Sequence, residues 1–165
     1  MSDPIITIID AHFLAGVVFV FVAGFLIGFE RGSRGVPAGV RTHTLVCLGA
    51  MLFAVVSQYV DPAAPSRIAS TVVTGMGFLG AGIIMHHRGS VHGLTTAATL
   101  WLVAAIGVAV GYQFYTTAVL TTFFAFAILK LPHFGEHGED DFYPQPDTEP
   151  AAKKKTKASQ ARKKK

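Results

Sequence analysis

Five stretches of the chain contain no Asp, Glu, Lys or Arg. They are Phe13–Phe29, Thr42–Val60, Ile68–Met85, Leu94–Tyr112 and Phe114–Leu129. A helix rises about 1.5 Å per residue, so roughly 20 apolar residues cross a hydrocarbon core about 30 Å thick. Four of the stretches reach or approach that length. The fifth is shorter, but Tyr112 and Lys130 extend it towards the interfaces. Period-2 alternation is absent, which argues against a membrane β-barrel. The pattern therefore predicts an all-α polytopic membrane protein of about five transmembrane helices. That domain would span residues 10–131.

Composition agrees with this picture. Of the 165 residues, 51% are hydrophobic and 15% charged, against about 25% charged in an ordinary soluble domain. The leader Met1–Asp10 carries Asp3 and Asp10 and no basic residue. A cleavable signal peptide has a basic start, so the first helix is expected to be retained. Cys47 is the only cysteine. It lies inside an apolar stretch and is read as a small packing residue.

The basic residues set the orientation. Arg31, Arg34 and Arg41 follow the first helix, Arg88 lies between the third and fourth, and Lys130 follows the fifth. The Lys-rich end Lys153–Lys165 lies on the same side. Only Arg67 falls on the other side. Basic loops mark the cytoplasm, which places the N-terminus outside and the C-terminus inside. The segment 132–165 is acidic from Glu136 to Glu149 and basic thereafter. It has too little apolar surface to fold, and a disordered tail is expected. Its basic half could also touch anionic lipid.

Three groups of residues stand out. First, Gly24, Gly28, Gly75, Gly77, Gly80, Gly82, Gly107 and Gly111 bare the faces of three helices. Lipid gives no hydrophobic drive between helices, so such faces suit close backbone packing. Gly75–Gly80 matches G-x-G-x-x-G, but it lacks the preceding strand and following acid of a dinucleotide site. Gly80 and Gly82 would also permit a break in the third helix. Second, Glu30 stands among Arg31, Arg34 and Arg41. A carboxylate at membrane depth is expected to be ion-paired; the alternative is a cation site. Third, His43, His86, His87 and His92 fall on one side, without the spacing of a known zinc motif. Ser66 is placed to cap the third helix.

Short segments recur 53 and 54 residues apart. Gly24-Phe-Leu26 returns as Gly77-Phe-Leu79, and Gly39-Val-Arg-Thr42 as Gly93-Leu-Thr-Thr96. Helices one–two and three–four would then be similar hairpins with the same orientation.

Three linked segments resemble the signatures of the MgtC/SapB family. They are Glu30-Arg31 through Arg34, Pro37, Gly39, Arg41, Thr42 and His43; Ser66-Arg67 through Gly75–Gly82; and Val91-His92-Gly93 through Thr95, Thr96 and Trp101. The order and spacing match across Leu14 to Gly111. The resemblance implies a multi-pass protein of the bacterial inner membrane. Its relatives are associated with survival at low magnesium and inside macrophages. Some are named magnesium transporters, and others look like regulators of membrane proteins. Many relatives carry an ACT-like domain after the membrane part, where this chain has the polar tail. Thr95 stands where some relatives have Asn, Leu102 where some have Cys, and His87 where some have a carboxylate.

The expectation is a non-catalytic regulator linked to magnesium homeostasis. The alternative is a small transporter or channel for Mg²⁺ or another ion. No cluster of nucleophile, base and orienting group is visible, and no enzyme activity is expected. No resident cofactor is expected; Mg²⁺ is the one ion to consider. The partners expected are the bilayer and either further copies or other inner-membrane proteins, with no nucleic acid. The signature residues Pro37, Gly39, Thr42, His43, Arg88, His92, Gly93, Thr95 and Thr96 are read as one cytoplasmic surface.

Overall fold

The computed structural model describes residues 11–87 and 90–131. Within them the chain forms helices α1 (Ala11–Ser33), α2 (Val40–Val60), α3 (Ser66–Ile83), α4 (Leu94–Gly111) and α5 (Tyr115–Leu129). Each expected apolar stretch is a helix. By length and composition α1, α2 and α4 can each cross a membrane, and α5 is a shorter apolar helix. Arg88 and the tail 132–165 lie outside the described residues.

The loop between α3 and α4 holds an element that apolar periodicity does not reveal. Strands β1 (Met85–His87) and β2 (Ser90–His92) pair antiparallel, with Met85 opposite His92 and His87 opposite Ser90. Gly93 then turns the chain into α4 at φ +85°. A Cβ there would lie 2.6 Å from the Ile83 carbonyl oxygen, at the end of α3. Only glycine fits both the left-handed backbone and the close approach. α3 itself runs unbroken through Gly80 and Gly82, so the break that these glycines would permit does not occur. Ser66 is the first residue of α3, and its N-cap is Pro65, without a side-chain cap. Ser66 therefore does not have the expected capping role.

The helices are arranged around a central pair, α2 and α4. α1 packs on α2 and also touches α4. α3 packs on α4 and also touches α2. α5 lies against α4 and α1. Glycines set the closest approaches. A Cβ on Gly107 would come within 2.1 Å of the Cys47 carbonyl oxygen, and one on Gly111 within 2.7 Å of the Met51 carbonyl oxygen. On α1, a Cβ on Gly24 would meet Thr44 Cα at 2.6 Å and one on Gly28 would meet Val40 Cα at 2.7 Å. These contacts bring backbones together, the form of packing available where lipid tails are as apolar as the side chains. Val20, Ile27, Cys47, Val103 and Ile106 fill the space between.

The glycines of α3 differ from that expectation. A Cβ on Gly75, Gly77 or Gly82 would meet nothing within 4 Å, and one on Gly80 would make an ordinary contact with Ala97. Within one chain they do not set a helix contact. A bare face needs a neighbour to become an interface, and only α3's opposite stripe, with Ala69, Met76 and Gly80, is covered.

Two substitutions separate these cases. Gly107→Ala should destabilise the bundle by about 1–3 kcal/mol, because backbone must move to admit the methyl group. Gly77→Ala should be neutral, or stabilising by up to about 1 kcal/mol through helix propensity. Thermal unfolding in detergent distinguishes the two; equal losses at both positions would contradict the packing.

Candidate functional site

The loop-proximal end of the bundle carries a knot of buried polar side chains. α1 ends in Glu30 and Arg31, α2 begins near His43, and α4 begins with Thr96 and Thr99. Arg31 and His43 are fully buried. Both sit in apolar helices, where each polar group must find a partner inside the protein.

The partners come from different helices. Arg31 Nη2 donates to Thr96 Oγ1 at 2.9 Å, joining α1 to α4. His43 Nδ1 lies 2.9 Å from the Gly39 carbonyl oxygen, and Nε2 lies 3.0 Å from Thr99 Oγ1. A carbonyl only accepts, so Nδ1 is the protonated nitrogen there. Thr99 Oγ1 also lies 2.8 Å from the Thr96 carbonyl, so its single proton goes either to Nε2 or to that carbonyl. α2 is thereby tied to α4 through an imidazole.

At the rim, Arg34 makes a second link. Its Nε donates to Glu30 Oε1 at 2.6 Å, and its Nη2 donates to the Leu129 carbonyl at 2.7 Å. The expected ion pair of Glu30 is therefore with Arg34, one helical turn on. The same guanidinium closes an open carbonyl at the end of α5, where helix termini lack internal partners. Glu30 Oε2 is buried and accepts no hydrogen bond among the described residues.

The other expected site residues separate around this knot. Arg41, Pro37 and Thr42 are exposed, and Arg41 makes no ion pair among the described residues. His92 and Thr95 are half-buried, and Gly93 is buried at its turn. Thus Glu30, Arg31, Arg34, Gly39, His43 and Thr96 form one centre, while Arg41, Pro37 and Thr42 are exposed outside it. Thr99 and the Leu129 carbonyl are members that motif reading does not single out. The signal for Thr99 is its spacing: Thr96 and Thr99 lie three apart, on one face of an otherwise apolar helix. Among the described residues no three His, Cys, Asp or Glu side chains gather as a metal site would require.

A second tie lies at the opposite end. Ser57 Oγ and Tyr112 Oη both donate to the Pro65 carbonyl. Gln58 Nε2 donates to the Gly111 carbonyl at 2.8 Å. The Asp61–Pro65 turn is thus held to α2 and to the end of α4.

Comparison with known proteins gives this architecture its relatives. The family model described as "MgtC family" matches residues 17–136. The chain is 47% identical over 122 residues to "Protein MgtC" of Brucella abortus (strain 2308), covering 73% of this chain and 51% of that protein. It is 39% identical over 132 residues to "Putative magnesium transporter YhiD" of Escherichia coli (strain K12), covering 74% and 61% respectively. With "Protein MgtC" of Salmonella typhimurium (strain LT2) the identity is 44% over 110 residues, covering 67% and 48%. The chain thus spans about half to three-fifths of the length of these relatives. No solved structure matches.

Thr99→Val keeps shape and removes the hydroxyl beside the His43 imidazole. The expected loss is about 1–3 kcal/mol, the cost of leaving a buried polar group without its partner. Thr116→Val, on an exposed position of α5, should stay within about 0.5 kcal/mol. Unfolding of the two variants in detergent is the check.

Proposed function

Since the chain belongs to the MgtC family, we propose that it is a non-catalytic regulator of other membrane proteins, linked to magnesium homeostasis. In this reading it lies in the bacterial inner membrane and crosses it five times. The distribution of basic residues supports placing the polar knot and the Arg-rich loop on the cytoplasmic side.

The observation that carries this reading is the buried charge of Arg31. A guanidinium held on Thr96 between α1 and α4 is a fixed positive charge buried at the loop-proximal end of the bundle. A dication crossing between these helices would meet that charge in a medium of low dielectric, where like charges repel strongly. Beyond it, Val20, Met51, Val103 and Val110 close the core with apolar contacts. Such a bundle is suited to presenting fixed surfaces rather than to carrying an ion.

A second reading, a magnesium transporter, is favoured by one feature. Glu30 Oε2 is buried and accepts no hydrogen bond among the described residues. A single carboxylate oxygen with water can serve Mg²⁺, which keeps much of its hydration shell. The name of the Escherichia coli relative points the same way.

The two readings part in liposomes. Purified, folded chain reconstituted with a Mg²⁺-sensitive dye inside should give no influx above protein-free vesicles. Glu30→Gln should leave that result unchanged. Influx that depends on the protein and disappears in Glu30→Gln would overturn the regulator reading.

A further inference from the structure

The five helices divide into a repeat and a remainder. The recurring segments place α1 and α3 in corresponding positions, and likewise α2 and α4. Contacts follow the same relation. The central pair α2–α4 maps onto itself, α1 on α2 matches α3 on α4, and α1 beside α4 matches α3 beside α2. Only α5 has no counterpart among the described helices. It fills the groove between α1 and α4. The corresponding groove, between α3 and α2, is open. It encloses about 500 Å³ and is floored by Gly49, Ala50, Gly75 and Met76, with Phe53 and Leu79 at its rim.

We propose that this groove seats helix α5 of a second copy of the chain. In its own bundle α5 buries Ala118, Ala125 and Leu129, which share one face. The opposite face is left with Leu120, Phe123, Phe124 and Ile128 more than half exposed. Large side chains on one surface meet small ones on the other, since a Cβ at Gly49 or Gly75 would meet nothing within 4 Å. Helix association in lipid rests on such close van der Waals contact.

The direction also fits. Successive helices alternate in direction, so α5 runs with α1 and α3 and against α2 and α4. A second copy with the same membrane orientation can therefore offer α5 to α2 and α3 in the sense that α5 already takes beside α4 and α1. The groove and α5 lie on opposite sides of the central pair. The contact is therefore head-to-tail, and it builds a ring or a row rather than a two-fold dimer. The inference is independent of whether the chain regulates or transports.

The test uses the full chain in membranes. In a Cys47→Ala background, one tagged copy carries Gly75→Cys and a differently tagged copy carries Phe123→Cys. Mild oxidation should give a mixed-tag disulfide product. Both substitutions on one chain should give a ladder. Adding Gly49→Trp, which fills the groove, should abolish the mixed product without lowering the melting temperature. No mixed product would mean that lipid tails or a foreign helix fill the groove, and would overturn the proposal. Cross-linking of Gly75→Cys only to itself would overturn it in favour of an α3–α3 contact. Subunit counting of the native chain in vesicles avoids the cysteine changes: two or more copies per particle are expected, and single copies at every protein-to-lipid ratio would refute association.

Discussion

A guanidinium buried in an apolar helix bundle must be answered from within the bundle, and the rest of this structure depends on how Arg31 is answered. Water cannot solvate it there, and an ion left alone at that depth costs several kcal/mol. Its bond to Thr96 sets the depth of α1 against α4. His43, bonded to Gly39 and Thr99, does the same for α2 against α4. Arg34 adds α5 through the Leu129 carbonyl while holding Glu30. Four helices are thus brought to one level by three cationic or polar side chains from a span of 13 positions, Arg31 to His43.

Glycine packing and the polar knot perform different tasks. Gly24 and Gly28 set how near α1 lies to α2, and Gly107 and Gly111 set how near α4 lies to α2. Dispersion at such contacts is non-directional and would tolerate sliding. Hydrogen bonds do not, because their angles and distances are narrow. The bonds from Ser57, Gln58 and Tyr112 at the other end restrain the second terminus of the central pair in the same manner. A bundle pinned at both ends and closely packed between them is a rigid platform.

The helices were legible in the sequence because charge is excluded from hydrocarbon, and that exclusion marks boundaries directly. The pairing of Glu30 was legible as a necessity, but its choice of Arg34 was not. Arg31 is adjacent in sequence, yet it points into the bundle, while Arg34 lies one turn on and can reach back. The cross-helix contact of Thr99 was open in the sequence, because a threonine in an apolar helix can bond either its own backbone or a neighbouring helix. The strands at Met85–His92 were hidden because three-residue strands show no periodicity. Gly75, Gly77 and Gly82 mark the converse limit. A sequence shows that a face is bare, but whether a neighbour stands there depends on the tertiary arrangement.

The Arg31–Thr96 bond couples α1 to α4. The direct measurement is a double-mutant cycle with Arg31→Met and Thr96→Val, read as unfolding free energies in detergent or bilayer. Coupling of about 1.5–3 kcal/mol is expected for a buried hydrogen bond to a charged group. Losses that add to within about 0.5 kcal/mol would show that this bond does not couple the two helices.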